Sequence, residues 1–371
     1  MRIIISTDQI YLHGGIEKVL STKANYWSNQ SGVEVYIVTT EQKGNTPCYP
    51  MDSRVHLIDL GINYNRSRSY FSKENMKKAI KHFREQKKLF RQLKPDAIIS
   101  PNFNFDHYWL PNLKAGAKLI KEIHGSRYKD QHRRKNASFA KKIQFLISDW
   151  AESRYSHIVV LNEDEKEYIR TGNAEVIPNP IELQAMRADL DNKKVIAAGR
   201  ISPVKGFGEM IESWALIYKE NPDWQLHLYG DDYLGTKGKL ELQINNLGLK
   251  DAVVFKGSVD NLTEKMADYS LYAMTSETEC FPMVLLEAMS VGLPIVSYDC
   301  PNGPRNIIKD GEDGLLVPHH RTDRFAEEML KLMNNESLRK QLGTAAQKNA
   351  ARFSTDEVMK KWQTLLNLPN V

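Results

Sequence analysis

The chain has 371 residues, of which 41% are hydrophobic and 26% charged. That length suggests about two domains, and the composition excludes a fibrous or disordered chain. The net charge of +5 is too small to indicate nucleic-acid binding by itself, and three cysteines without CxxC spacing exclude a disulfide scaffold. No apolar run approaches the roughly 20 residues that span a bilayer, and no signal peptide precedes the first predicted strand, so we expect a cytoplasmic protein.

The first half of the chain alternates short β-branched runs with helical stretches. Continuous apolar runs of this kind are typical of strands buried on both faces of a parallel sheet. The predicted strands are residues 2–6, 33–40, 55–59, 96–100, 118–123 and 157–161. Helical stretches such as 16–28 and 75–93 separate them, so the pattern predicts a parallel sheet covered by helices.

The same alternation restarts at Lys193. The predicted strands of this second half are residues 193–198, 225–229, 252–256, 271–275, 294–298 and 314–317. Two prolines in the segment 176–181 favour an extended link between the halves. We therefore predict two Rossmann-like, doubly wound α/β domains, an N-terminal one of residues 1–180 and a C-terminal one of residues 181–352. Such domains bind ligands in a cleft at the carboxyl ends of their strands.

The last segment, residues 353–371, is predicted to contain a helix. Ser354 and Glu357 have the spacing of a capping box, and Val358 and Trp362 begin an apolar stripe on one helical face. Because that stripe must pack on another surface, we predict that the helix crosses back to the N-terminal domain.

Gly14 and Gly15 lie between the first predicted strand and the first helix. A helix start offers free backbone N–H groups and partial positive charge, which suit a phosphate. A loop that requires positive φ explains the glycines equally well. The run does not have the GxGxxG spacing of a dinucleotide-binding loop, which argues against a nicotinamide-dependent oxidoreductase.

Arg200 and Lys205 lie in the loop between the first strand and the first helix of the second half, flanked by Gly199 and Gly206. Arginine can bind phosphate oxygens through two parallel hydrogen bonds, and lysine adds a point charge. The position of the loop favours a phosphate site over the alternative, which is two solvated surface cations.

Glu279 and Glu287 follow the predicted strand 271–275, and a helix is expected to begin near Met283 between them. Carboxylates accept hydrogen bonds from neighbouring hydroxyl groups, as a sugar offers them. In the alternative interpretation Glu279 only caps the helix and Glu287 is a surface residue.

The surroundings of these acids resemble the donor-binding signature of the family 4 retaining glycosyltransferases, which have the GT-B fold. The similarity rests on Glu279, Glu287, Phe281 and residues 285–289. The run 299–305 is similar to members that build capsular and other bacterial surface glycans. One departure is Cys280, where the family often has glycine, so the identity of the hexose cannot be transferred from relatives.

The resemblance extends over nearly the whole chain. Gly14 and Gly15 are similar to the glycine loop of the family's first domain, and Arg200 with Lys205 resembles its diphosphate-binding pair. The segment 177–180 resembles its interdomain link. Several motifs in the family's order make chance agreement improbable.

The resemblance implies a retaining transfer of a hexose or N-acetylhexosamine from a nucleoside-diphosphate sugar, with UDP as the favoured nucleotide, to a glycan or lipid-linked acceptor. It implies that Glu287 holds the ribose hydroxyls and Glu279 the hydroxyls of the sugar. Arg200 and Lys205 would neutralise the leaving diphosphate, so no metal and no other cofactor is expected.

The same resemblance assigns further residues to the donor site and one to the first domain. The donor-site residues are Ser258, Val259 and Asp260 near the base, and Phe281, Pro282, Met283, Val284 and Leu285 around the sugar and the distal phosphate. His124 ends a first-domain strand and is expected to hydrogen-bond a sugar hydroxyl or to shape the acceptor site. A structural histidine is the alternative. The expected catalytic set is Arg200, Lys205, Glu279 and His124.

Other signals do not alter this interpretation. Asp189 and Asp191 have DxD form but are expected to form a solvated turn, and His319 with His320 lacks partners at metal-ligand spacing, so no metal is predicted. The alternatives are another GT-B enzyme, such as a nucleotide-sugar epimerase or a disaccharide phosphate synthase, and an inactive subunit that binds a nucleotide sugar or glycan.

Two basic segments lie in the first half. Residues 73–94 contain nine Lys or Arg against two acids, and residues 127–142 contain seven against one. With aromatic side chains nearby, they are compatible with peripheral contact to anionic lipid at the inner face of the cytoplasmic membrane, where a lipid-linked acceptor would lie. A solvated helix face explains them equally well, and no nucleic-acid partner is expected because no nucleic-acid-binding module is recognisable.

Overall fold

The computed structural model describes residues 1–69, 71–101, 104–114 and 116–368. The chain divides into two compact units. The first comprises Met1–Pro180 with the end of the chain from Val358, and the second comprises Ile181–Glu357. The second unit therefore extends beyond the predicted limit of residue 352, and residues 369–371 of the predicted terminal segment lie outside the described residues.

A parallel sheet forms the centre of the first unit. Its strands are β1 (Arg2–Thr7), β2 (Glu34–Thr39), β3 (His56–Asp59), β4 (Ala97–Ser100), β5 (Lys118–Glu122), β6 (His157–Val160) and β7 (Ala174–Val176). They lie in the order β3-β2-β1-β4-β5-β6-β7. Ile3, Ile4 and Ile5 of β1 are fully buried, because helices cover both faces of the sheet. The sequence analysis missed β7, whose three residues are too few for a hydrophobic pattern.

The helices of the first unit vary widely in length. They are α1 (Gly15–Ser28), α2 (Lys73–Leu93), α3 (Leu110–Leu113), α4 (Tyr128–Lys135), α5 (Phe139–Ser153) and α6 (Glu163–Lys166). Trp27 of α1 packs with Ile3 and Ile5 on one face of the sheet. Phe90 of α2 packs with Ile4 on the other face. The two faces therefore have separate apolar cores.

The second unit repeats this architecture. Its strands are β8 (Lys194–Ala198), β9 (Gln225–Tyr229), β10 (Val253–Gly257), β11 (Leu271–Met274), β12 (Ile295–Asp299) and β13 (Leu315–Pro318). They are parallel and lie in the order β10-β9-β8-β11-β12-β13. The chain adds β9 and β10 on one side of β8 and then adds β11 on its other side, so the strand order reverses at β8. This arrangement confirms the predicted fold class of two doubly wound α/β domains.

The helices that cover the second sheet are α7 (Phe207–Glu220), α8 (Thr236–Asn246), α9 (Leu262–Met266), α10 (Met283–Ser290), α11 (Thr322–Asn334) and α12 (Glu336–Ala350). The core of this unit includes Trp214 of α7, Phe325 of α11 and Leu226 of β9. None of the described helices is long and apolar enough to cross a membrane.

The last helix, α13 (Thr355–Leu366), contributes its apolar stripe to the first unit. The Ser354 hydroxyl accepts the N–H of Glu357 at 3.4 Å, so Ser354 caps the helix. The ring of Trp362 packs edge-on against Trp27 with 5.7 Å between centroids. The ammonium group of Lys118 donates to the carbonyl of Leu365 at 2.7 Å. The helix α13 is therefore part of the hydrophobic core that contains Trp27.

Candidate active site

The loops that follow β8 and β11 are joined where the strand order of the second sheet reverses. The Glu277 N–H donates to the Val204 carbonyl at 2.8 Å, and the Thr275 hydroxyl donates to the Gly206 carbonyl at 2.9 Å. Gly206 has φ of +63°, and a Cβ atom there would lie 1.9 Å from the Thr275 carbonyl oxygen. Only glycine permits this approach, so the glycine after Lys205 fixes the two loops together.

Lys205 and Glu279 meet across these joined loops. The Lys205 ammonium lies 2.7 Å from a Glu279 carboxylate oxygen, and the two side chains are 22% and 14% exposed. The backbone of Glu279 also pairs with that of Asn302 in an isolated parallel β-bridge. The next residue, Gly303, lies so close that a Cβ atom there would be 2.6 Å from the Cβ of Glu279. The backbone of Glu279 is thus held by residues 302–303, and its carboxylate lies close to solvent beside a cation.

Arg200 lies in the same loop as Lys205 and is exposed. Its guanidinium group lies 4.6 Å from the ring centroid of Tyr233, within the range of a cation–π interaction. The Tyr233 N–H donates to the Ile201 carbonyl at 2.9 Å, which ties the loop after β9 to the loop after β8. Tyr233 is a neighbour of Arg200 that the sequence analysis missed.

Ser258, Val259 and Asp260 follow β10 at the carboxyl edge of the second sheet. The Ser258 hydroxyl donates to the Asp231 carboxylate at 2.7 Å, and the Gly230 N–H donates to the Gly257 carbonyl at 2.9 Å. Loops after β8, β9, β10 and β11 therefore form a continuous edge, because parallel strands end on the same side of the sheet.

The helix α10 begins at Met283, as expected from the sequence. Its first turn has no side-chain cap, because Pro282 occupies the N-cap position. Met283, Val284 and Leu285 form this first turn. The ring of Phe281 packs edge-on against Phe353 with 5.5 Å between centroids.

Glu287 lies one turn further along α10 and is buried. The alternative in which Glu287 is a surface residue is therefore wrong. Glu279 does not cap α10 either, since the N-cap is Pro282. Neither the capping of α10 nor a surface position therefore explains why Glu279 and Glu287 occur here.

Gly14 and Gly15 lie in the first unit, where Gly14 precedes α1 with extended backbone at φ of −166°. Neither glycine has positive φ, so the structural explanation considered for this pair does not apply. The neighbouring Glu17 accepts a hydrogen bond from the Gln9 side-chain amide at 2.7 Å. Burial raises the pKa of Glu17, and His124 acts in the opposite direction. The sequence analysis did not single out Glu17, which interacts with Gln9 and His124.

His124 follows β5, and its side chain is 4% exposed. Its Nε2 atom lies 3.7 Å from a Glu122 carboxylate oxygen and has no hydrogen-bond partner among the described residues. Glu122 forms a buried ion pair with Lys23. Burial alone would raise the pKa of Glu122, but Lys23 and His124 outweigh it and lower that pKa to about 2. His124 is therefore held beside the Glu122 carboxylate.

Three side chains in the second unit could hold a metal ion. One ligand atom from each of Glu277, His319 and His320 lies within 4.8 Å of the others. The expectation that the two histidines lack partners at metal-ligand spacing is therefore wrong, because the loop after β11 brings Glu277 to them. His320 is already hydrogen-bonded to Glu209 at 2.7 Å.

The DxD pair forms a turn. The carboxylate of Asp189 accepts the N–H of Asp191 at 3.1 Å, and Lys340 lies 2.9 Å from Asp191. Neither aspartate belongs to the edge of loops described above, which agrees with the expectation of a solvated turn.

Two family models match the two halves of the chain. The model described as "Glycosyltransferase Family 4" matches residues 13–185, and the model described as "Glycosyl transferases group 1" matches residues 180–349. The chain belongs to the family 4 glycosyltransferases. The junction of the two models falls at the boundary between the two compact units.

Curated relatives of this glycosyltransferase include proteins of bacterial polysaccharide synthesis. An exopolysaccharide phosphotransferase of Streptomyces coelicolor is 35% identical over 56% of this chain, which spans only 23% of that relative's length. The amylovoran biosynthesis glycosyltransferase AmsD of Erwinia amylovora is 26% identical over 99% of both chains.

The fold of the glycosyltransferase is also found in solved structures. A crystal structure of an S. aureus TarM variant, in complex with fondaparinux, α-GlcNAc-glycerol and UDP, superposes with a TM-score of 0.77. The match covers 99% of each chain at 17% sequence identity. The fold is therefore GT-B, with two Rossmann-like domains.

Proposed function

We propose that the protein is a retaining, metal-independent glycosyltransferase of bacterial surface-polysaccharide biosynthesis. It moves a hexose or N-acetylhexosamine from a nucleoside-diphosphate sugar, with UDP favoured, to a glycan or lipid-linked acceptor. The full-length similarity to the amylovoran glycosyltransferase AmsD and the UDP bound in the TarM structure support this choice of donor and pathway class.

One observation carries the proposal: the contact between Lys205 and Glu279 at the point where the strand order reverses. A cation for the leaving phosphate and a carboxylate for the sugar hydroxyls lie side by side, with Arg200 in the same loop. A donor that places its diphosphate against Lys205 thereby brings its sugar to Glu279. Glu287 on α10 and the residues Ser258–Asp260 are proposed to hold the ribose and the base.

The reaction needs stabilisation of charge that develops on the diphosphate. The bond between the anomeric carbon and the phosphate oxygen breaks, and its electron pair stays on the diphosphate. Arg200 and Lys205 neutralise that charge, which is the largest contribution to catalysis in such sites. The acceptor oxygen attacks on the face that the diphosphate leaves, and its proton passes to the departing phosphate oxygen. The anomeric configuration is thereby retained.

His124 is proposed to hydrogen-bond a donor or acceptor hydroxyl. Its Nε2 atom makes no hydrogen bond among the described residues and lies 3.7 Å from the Glu122 carboxylate, so it is available to a ligand hydroxyl. The glycine pair Gly14–Gly15 is proposed to let a ligand approach the start of α1. For a lipid-linked acceptor, these residues would act at the inner face of the cytoplasmic membrane.

Thermal unfolding with a panel of nucleoside diphosphates and their sugars tests the donor site. A ligand at 100 times its dissociation constant adds about 2.7 kcal/mol of stability. We expect one nucleotide and its sugars to raise the melting temperature, and Lys205→Ala to abolish the shift. Lys331→Ala, which removes an exposed lysine of α11 that pairs with Glu328, is the control. No shift with any nucleotide would contradict a preformed donor site.

Product analysis then separates the enzyme from its alternatives. We expect turnover to require an added glycan or lipid-linked acceptor and to be unchanged by EDTA. Release of an epimerised sugar without an acceptor would identify an epimerase, and a sugar-phosphate acceptor would identify a disaccharide phosphate synthase. A strict requirement for Mg²⁺ or Mn²⁺ would overturn the metal-free mechanism.

A further inference from the structure

The helix α5 exposes its apolar residues and turns polar residues toward the fold. Its large hydrophobic side chains recur at helical spacing with exposed fractions of 42% to 80%, and they are Phe139, Ile143, Leu146, Ile147 and Trp150. At 3.6 residues per turn they form a stripe about 100° wide. Only Ala151 and Glu152 of the helix are buried. A surface helix ordinarily turns such a stripe to the core.

Ion pairs hold α5 in this orientation. Arg127 donates two hydrogen bonds to the Glu152 carboxylate, at 2.6 and 3.0 Å. Arg134 of α4 donates two to the Asp149 carboxylate, at 2.6 and 2.8 Å. Both pairs have the two-pronged geometry that fixes direction as well as distance. The outward direction of the apolar stripe is therefore built into the packing of α4 against α5.

Exposed lysines of α4 and α5 accompany the stripe, with Lys142 beside it and Lys141 on the opposite face of α5. Lys129, Lys135, Lys141 and Lys142 are exposed, and no ion pair to a carboxylate is present for any of them among the described residues. Arg127, Arg134 and Lys141 also line a pocket of about 280 Å³ between α4 and α5. This α4–α5 surface therefore combines a large exposed apolar face with free positive charge.

The basic segment 73–94 differs from the α4–α5 surface in where its apolar side chains point. Its helix α2 turns its large apolar side chain Phe90 into the core and leaves only Met76 and Ile80 of its described large apolar side chains exposed. Residues 73–94 are thus a solvated basic face of a core-packed helix, while residues 127–142 continue into an apolar stripe. The two segments look alike in charge, and only the second carries an apolar stripe of this width.

We propose that the α4–α5 surface docks onto an anionic membrane. The helix α5 lies in the plane of the interface with Phe139, Leu146 and Trp150 at the boundary of headgroups and acyl chains, and the lysines contact lipid phosphates. Charge complementarity favours lipid over a second copy of the chain, because a symmetric contact would bring two lysine-rich rims together. The proposal deepens the proposed function by placing the enzyme where a lipid-linked acceptor lies, but its test needs no donor.

Vesicle sedimentation of the full chain tests the docking surface. We expect binding to phosphatidylcholine vesicles that contain phosphatidylglycerol and little binding to phosphatidylcholine alone. Leu146→Glu should weaken binding at least about tenfold, since it places a charge in the apolar stripe. The matched control is Leu242→Glu on α8, because the exposed fractions of these leucines are 67% and 65%. Added salt should weaken wild-type binding.

Quenching by brominated lipid locates the contact. Trp150 is 53% exposed, so its fluorescence should be quenched in anionic vesicles and the quenching should be lost in Trp150→Phe.

Equal vesicle binding by wild type and Leu146→Glu would overturn the proposal. So would dimers of the wild-type chain in solution that Leu146→Glu dissociates, since a second copy would then cover the stripe. Stabilisation by nucleotides in the absence of lipid should be the same in Leu146→Glu and wild type, so failure of docking is distinguishable from failure of the donor site.

Discussion

Each unit contains a lysine–glutamate pair, and the two pairs differ in their exposure to solvent. The side chains of Lys23 and Glu122 are 1% and 2% exposed, whereas those of Lys205 and Glu279 are 22% and 14% exposed. The ammonium of Lys23 also lies 4.5 Å from the ring centroid of Trp362. The first pair is closed to solvent and maintains the fold, while a ligand can reach the second. Burial, rather than residue type, distinguishes the two ion pairs.

The largest expected effect is on the stability of the buried pair. Glu122→Gln leaves the Lys23 ammonium buried without its partner, so the free energy of unfolding should fall by about 3–5 kcal/mol in urea denaturation. Lys23→Met combined with Glu122→Leu removes both charges and should recover part of that loss. If the single and double variants were equally destabilised, packing rather than the unpaired charge would be the cause.

The exposed pair should affect turnover instead. Lys205→Ala removes a counter-charge from the leaving diphosphate, so turnover should fall by about 100-fold or more, and Arg200→Ala should act in the same direction. The stability of Lys205→Ala should change by less than about 1 kcal/mol, because the pair is partly solvated. Rates near those of the wild type would remove Lys205 from the mechanism.

Acid should distinguish the two pairs further. The pKa of Glu122 is about 2 in the folded chain against an ordinary value of 4.5. Between these values the unfolded chain binds the proton and the folded chain does not, so the free energy of unfolding decreases as the pH falls through this window. Glu122→Gln should show a smaller slope of unfolding free energy with pH from 4.5 downward. An unchanged slope would assign the acid sensitivity to other groups.

The smallest expected effect concerns Tyr233. A cation–π contact at a partly exposed position contributes about 0.5–1 kcal/mol, so Tyr233→Ala should lower turnover by a factor of about 2–5 through a less ordered Arg200. Tyr233→Phe keeps the ring and should behave like the wild type. A large loss in Tyr233→Phe would instead assign a role to the hydroxyl group.

The sequence analysis located the loops of the candidate site but missed several of their contacts. Arg200, Lys205 and Glu279 could be named because each lies in a loop that follows a strand recognisable from its apolar run. Tyr233 could not, because nothing in a single chain shows that the loop after β9 hydrogen-bonds to the loop after β8. The metal-ligand geometry of Glu277 with His319 was missed for the same reason, since these residues come from different strands.

Local pattern determined most strands of the two sheets, the start of α10 at Met283 and the Ser354 cap of the last helix, because these depend mainly on neighbouring residues. Tertiary structure decided which helical stripes are buried. The stripe of α13 packs on Trp27, and that of α5 faces solvent, although both have the same periodicity. The difference arises because Arg127 and Arg134 bind the polar face of α5, and residues so distant in sequence meet only when the chain has folded.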